Sequence, residues 1–326
     1  MKQNKNIKTA NLTTSKDIAK FLKDSISLKP NDLVISDTKW KYLVRSVIRG
    51  KNILMVGPTG CAKTLAAQTV ANTIGKPDKF FYFNLGSTQD ARSALIGNTH
   101  FKKDTGTLFN ESTFVKALKT ENAIILLDEI SRAHHDAVNI LMTVLDPIQR
   151  YLRLDEKEDS EVVKIANGVT FIATANIGNG YTATRIMDRA LLDRFTVKIE
   201  MLPLDKMEEY DLMLKKFDIS DEGVKHTLNS IVQIAGHTRD QIKLEDGKLT
   251  NFLSTRSVVE MTELVIDGFE LAEIAENAIY PNFAAEGGAD SERVYVKQLV
   301  QKYLPSNENE ELMNDPLTEN NNSTPF

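Results

Sequence analysis

The chain has 326 residues, 41% hydrophobic and 26% charged, with a formal net charge of −5. That length suits about two domains with a real core, and no apolar run nears the ~20 residues of a membrane span, which excludes a membrane-embedded class. The single cysteine, Cys61, excludes an intrachain disulfide; with a polar N-terminus unlike a signal peptide, it points to a reducing, cytoplasmic setting.

Residues 1–30 carry seven Lys and two Asp. They are expected to form a basic arm that would touch nucleic acid or, more plainly, a solvated lysine-rich helix. From 31 to 202, short apolar runs alternate with amphipathic segments. The runs are NILMVG (52–57), KFFYFNL (79–85), AIILLDE (123–129), VTFIATAN (169–176) and VKIEM (197–201). Continuous apolar runs of this length suit strands of a parallel sheet buried on both faces. KTLAAQTVANTIG (63–75) and HDAVNILMTVLDP (135–147) between them have helical spacing. An α/β domain with a parallel central sheet follows.

Residues 57–64 read GPTGCAKT, between the first strand and its helix. Such a loop (Gly57, Pro58, Thr59, Gly60, Cys61, Ala62) cradles phosphate oxygens with backbone N–H groups at the positive end of the helix. Lys63 would reach the β- and γ-phosphates, and Thr64 would ligate Mg²⁺. Ala62 replaces the usual glycine and should be tolerated if its φ is negative. Cys61 reads as a small filler rather than a nucleophile, because no paired base is visible.

AIILLDEI ends an apolar strand in two carboxylates that alternate in direction. Asp128 would sit by Mg²⁺ and Glu129 would polarise the attacking water. Asn176, closing the strand FIATAN, lies where α/β sheets carry their sites and would orient that water. Arg189 and Arg194 follow in RALLDRF, and Arg256 in LSTRSVVEM opens a later helix. FFYF reads as a buried strand, Trp40 and Tyr42 as packing residues, and His134–His135 as a helix N-terminal pair. DEKEDSE (155–161) reads as a solvated tip. From 203 to 304 the apolar spacing is helical, which makes a small helical domain. Residues 305–326, with five acids and no Lys or Arg, read as a disordered acidic tail.

This ordered set resembles the AAA+ ATPases over roughly residues 34–300. Within them it is most similar to the MoxR group and its chelatase-subunit, CbbQ/NorQ/GvpN and dynein-related midasin relatives. GPTGCAKT resembles the GxxGxAKT form of those proteins. LLDEISRAHHDAVNILMTVLDP resembles their DEINRA helix, and 94–118 and 150–176 resemble their two inserted hairpins. The resemblance implies an αβα sandwich with a helical lid, binding ATP and Mg²⁺. It implies Asn176 as sensor 1, Arg194 as an arginine finger for the neighbouring subunit and Arg256 as sensor 2. Asn84 matches the place of a residue that switches the catalytic glutamate, and Arg132 would face a neighbour or be an ordinary surface arginine. It further implies a hexameric ring that remodels a protein, with a separate von Willebrand factor A-domain partner. The alternative is a nucleic-acid motor or loader, disfavoured by the acidic body and hairpin tip.

Overall fold

The computed structural model describes residues 14–102, 106–157, 159–176, 187–244 and 246–304. The chain divides into two compact units, Met1–Leu202 and Pro203–Phe326.

The first unit is built on a parallel sheet. Its strands are β1 (Ile53–Val56), β2 (Phe80–Asn84), β5 (Ile124–Asp128), β8 (Thr170–Ala175) and β9 (Val197–Glu200), in the order β2-β5-β8-β1-β9. The five apolar runs of the sequence therefore become five strands. Alternate residues feed opposite faces, as strand geometry requires. Leu54, Ile125, Leu127, Phe171 and Ala173 join one core with the helices Thr113–Lys119 and His135–Val144. Ile53, Met55, Leu126, Ile172 and Ile199 join the other, with the helices Asp37–Ile48 and Lys63–Thr73. β8 is buried along its whole length, whereas β2 lies at the sheet edge. FFYF is accordingly half-buried rather than buried, with Tyr82 50% exposed.

Two antiparallel hairpins leave this sandwich: β3 (Gly97–Lys102) with β4 (Gly106–Glu111), and β6 (Tyr151–Arg153) with β7 (Val162–Lys164). The acids at the second hairpin's tip are not simply solvated. Glu156 pairs with Arg92, and Glu161 with Lys119 and Lys157.

From residue 14 the lysine-rich segment is helical, as the plainer of the two expectations had it, though not wholly solvated. A helix spans Ser15–Asp24, opened by a Thr14–Asp17 capping box, and buries Ile18 and Phe21. Trp40 is fully buried and its Nε1 donates to Ser25 O at 2.9 Å, while Tyr42 is 41% exposed and so only partly a packing residue. Residues 1–13 and the acidic tail 305–326 lie outside the described residues.

The described part of the second unit is helical. Its longer helices are Lys206–Phe217, Glu222–Lys243, Thr255–Ile266 and Glu292–Gln301, each opened by an Asp or Ser N-cap. Glu209 and Arg239, both buried, form a bidentate ion pair at 2.9 Å, and Arg239 Nε donates to Leu253 O.

Candidate nucleotide-binding site

The loop 57–62 leaves the C-terminal end of β1 and enters the helix Lys63–Thr73. Gly57 is at φ 153°, and a Cβ there would collide with Met201 O. Gly60 is at φ 80°. Ala62 is at φ 59°, ψ 25°, in the left-handed region. The expected negative φ is thus not found, and Ala62 holds a conformation that its methyl disfavours. It is also the helix N-cap, with no side-chain oxygen bonded to the first-turn N–H groups. Those donors are the ones that receive phosphate oxygens at a helix N-terminus.

Lys63 is 8% exposed, and its ammonium donates to Gly57 O, Pro58 O and Asn176 Oδ1 at 2.9, 2.7 and 2.9 Å. Burial pushes its pKa below the ordinary lysine value, against the opposing pull of Cys61, Asp128 and Glu129. Cys61 donates to Pro58 O, and burial raises its thiol pKa. A thiol held protonated is a filler, not a nucleophile.

Asp128, the last residue of β5, collects three hydroxyls. Thr64 Oγ1 lies 3.3 Å from both carboxylate oxygens, Tyr82 donates at 3.1 Å, and Thr174 also bonds it. Thr174 Oγ1 in turn accepts from Glu129 N at 3.0 Å. Neither Tyr82 nor Thr174 was singled out from the sequence. The available signal was a lone polar residue inside FIATAN, since a buried threonine needs a partner.

Glu129 leaves the strand through a left-handed backbone, φ 57° and ψ 40°. Its carboxylate lies 3.6 Å from Arg132 Nη1 and against Gly86, where a Cβ would meet Oε2. Arg132 thus has an acidic partner in its own chain. Asn84 Oδ1 accepts from Gly86 N and Ser87 N, so it shapes the turn beside Glu129. His134 is the N-cap of its helix and His135 Nδ1 meets Asn139, as a helix N-terminal pair would.

Lys63, Thr64, Asp128, Glu129 and Asn176 therefore share one cluster at the C-terminal edge of the sheet. Arg194 does not join it. Its carbonyl accepts from the side chain of Asn52, which precedes β1, so it sits at the opposite end of that strand. Its Nε donates to Met142 O at 2.7 Å, Nη1 bonds Ala190 O, and Nη2 lies 3.7 Å from Asp146. Arg189, the first residue of the helix Arg189–Asp193, is exposed. Arg256 is exposed at the second position of its helix in the second unit. The segment 177–186 after Asn176 lies outside the described residues.

The donor set fits a Mg²⁺–nucleotide. A hydroxyl and a carboxylate at 3.3 Å are hard oxygen ligands, beside an uncapped helix N-terminus and a buried ammonium. Comparison with known proteins agrees. Residues 52–195 match the family model of the AAA domain, dynein-related subfamily, and residues 220–308 match that of the CbbQ/NirQ/NorQ C-terminal region. An uncharacterised protein of Staphylococcus saprophyticus is 30% identical over 218 residues, 66% of this chain and 78% of that one. BssE of Thauera aromatica, provisionally named a chaperone, is 27% identical over 224 residues, 68% and 72% of the two chains. Among solved structures, NtrX from Brucella abortus aligns with a TM-score of 0.51 at 16% identity, over 89% of this chain and 63% of that one. That last likeness concerns the fold alone.

The chain belongs to the AAA+ ATPases, in the group that joins the MoxR and CbbQ/NorQ proteins. As such it is an ATP hydrolase whose cofactors are ATP and Mg²⁺. No helix among the described residues is long and apolar enough to cross a membrane.

Proposed function

We propose that this chain hydrolyses ATP in an oligomeric ring, hexameric in form, to remodel or activate a protein partner. The carrying observation is the cluster in which Thr64 meets Asp128, Lys63 meets Asn176, and Glu129 stands one residue away. Bound Mg²⁺–ATP supplies the electrophilic phosphorus and neutralises its charge. The loop 57–62 and the helix N-terminus hold the phosphates. Lys63 would exchange its loop carbonyls for phosphate oxygens, and Thr64 and Asp128 would hold the metal. Glu129 would polarise the attacking water and accept its proton, and Asn176 would orient that water.

The C-terminal family match and the relative named a chaperone support a remodelling role; a separate von Willebrand factor A-domain protein is the partner that the family resemblance implies. In the ring a neighbour's arginine would stabilise transition-state charge, an effect of roughly 10³–10⁵ in rate. Arg194 would have to leave Met142 O and Ala190 O to act so, whereas exposed Arg189 would not. Arg256 is the candidate for sensor 2.

The test is a pair of variants. Lys63→Ala should lose nucleotide binding. Glu129→Gln should bind ATP with near-normal affinity and lose turnover at least 100-fold. Glu129→Gln turning over at the parental rate would sink the assignment.

A further inference from the structure

The strand β2 reads FFYFN, and its tyrosine carries the one hydroxyl in it. Phe81 and Phe83 pack against one core and Phe80 against the other, whereas Tyr82 lies 50% exposed at the sheet edge. A ring so placed contributes little by burial, and phenylalanine would supply the same apolar area. The hydroxyl is what distinguishes it, and that hydroxyl donates to Asp128 Oδ2 at 3.1 Å. The reach runs along the sheet. Tyr82 pairs in register with Leu126, and Asn84 with Asp128. The phenol therefore leans two residues toward the C-terminal edge, roughly 6–7 Å of strand.

Asp128 is held from both sides. β5 lies between β2 and β8 in the sheet. Tyr82 on β2 takes Oδ2, and Thr174 on β8 takes Oδ1. Each bond crosses to a neighbouring strand, so together they fix the rotation of the carboxylate plane. That plane is otherwise loosely set, because the last torsion of an aspartate is broad. A carboxylate has about four lone-pair sites, and these two bonds leave a further one on each oxygen. Thr64 Oγ1 faces both oxygens equally, 3.3 Å from each. The two cross-strand hydroxyls differ in their other duties. Thr174 is buried and accepts from Glu129 N, so the backbone needs it. Tyr82 is half exposed, and its bond to Asp128 is its evident use. Hydrogen bonds to metal-holding carboxylates orient them, and their loss typically costs about 10–100-fold in metal affinity or activity.

We propose that Tyr82 is a positioning residue of the metal site, whose hydroxyl fixes the Asp128 carboxylate in the orientation that receives Mg²⁺ with the nucleotide. The inference rests on the reading of Thr64 and Asp128 as the groups that hold the metal. Tyr82 acts through Asp128, so its loss falls on metal binding and not on the phosphate loop.

The test uses the full chain as Tyr82→Phe, which removes the hydroxyl and keeps the ring. Three quantities are compared with the parent: ADP affinity in EDTA, Mn²⁺ affinity of the ADP-loaded chain by electron paramagnetic resonance, and the Mg²⁺ dependence of ATP turnover. Mn²⁺ is the probe because it takes the same carboxylate and water ligands as Mg²⁺. Tyr82→Phe should bind ADP in EDTA within about twofold of the parent and melt at the same temperature. Its Mn²⁺ affinity should fall about tenfold, the Mg²⁺ concentration for half-maximal turnover should rise by the same factor, and saturating Mg²⁺ should restore the parental rate. Mn²⁺ affinity within about twofold of the parent overturns the inference. So does an equal loss of ADP affinity in EDTA, which marks a merely structural role. So does a loss of turnover that saturating Mg²⁺ leaves in place, which marks a group acting on the reacting atoms. Asp128→Asn separates the inference from the reading beneath it. If that variant holds Mn²⁺ as tightly as the parent, Asp128 is no metal holder and both fall. If it loses Mn²⁺ while Tyr82→Phe does not, the metal reading stands and the role of Tyr82 alone falls.

Discussion

Ala62 and Glu129 are non-glycine residues with left-handed backbones, and both border the phosphate cluster. For Ala62 the cost is measurable. Glycine reaches φ 59° without a methyl clash, so Ala62→Gly should stabilise the first unit by about 1 kcal/mol in urea unfolding. A loss of stability would contradict the assigned conformation. Glu129 is tuned by its neighbour instead. A methyl at Gly86 meets Glu129 Oε2, which can move aside, but also lies 3.1 Å from Glu129 Cβ, which must shift. Gly86→Ala should therefore lower turnover at least tenfold with ADP affinity unchanged and a small loss of thermal stability. Lys63 sets a pH limit. The folded chain holds its pKa below the ordinary value through burial, and phosphate binding needs the charged form. ADP affinity should fall as pH rises through that lowered pKa, at lower pH than an ordinary lysine would give. The sign for stability is the reverse: burying the ammonium is a cost present below the folded pKa, and it fades as pH rises.

At the scale of elements, two kinds of ion pair differ in what they hold. Lys119 links Glu111 at the end of β4 to Glu161 beside β7, but all three side chains are partly exposed. Such pairs contribute little, and Lys119→Ala should cost under about 1 kcal/mol. Glu209 and Arg239 join the helices Lys206–Phe217 and Glu222–Lys243 from full burial. Removing one partner strands a charge, so Glu209→Ala should destabilise the second unit by about 3–5 kcal/mol in urea unfolding. A cost below 1 kcal/mol would show that water reaches the pair. Arg194 also ties elements together, joining the helices His135–Val144 and Arg189–Asp193 through Met142 O and Ala190 O. Arg194→Ala should cost about 1.5–3 kcal/mol whatever its part in catalysis, and Arg189→Ala close to nothing. Turnover at a temperature where both variants are folded then says which one is the finger.

Over the whole molecule, what the sequence revealed was set by local chemistry. The five central strands were legible because a strand buried on both faces must be continuously apolar, as β5 and β8 are. The exposed edge at β2 was not, because FFYF has the same composition in either setting. GPTGCAKT and LLDEI carried the phosphate cluster, since loop, lysine and carboxylates each lie in one short stretch. Tyr82 and Thr174 reach Asp128 only through the order β2-β5-β8, which no local pattern records. The helix Ser15–Asp24 was legible as a lysine-rich helix, but not its burial, because its lysines outnumber its two buried apolar residues, Ile18 and Phe21.

One measurement addresses the central claim, a shared-site ATP hydrolase. ATP turnover per chain is followed against protein concentration, with mass recorded at each point, for the parent and for Glu129→Gln. The account expects specific activity to rise as the ring assembles, and Glu129→Gln to form the same ring, bind ATP and stay silent. Turnover independent of concentration in a chain that remains monomeric would contradict it.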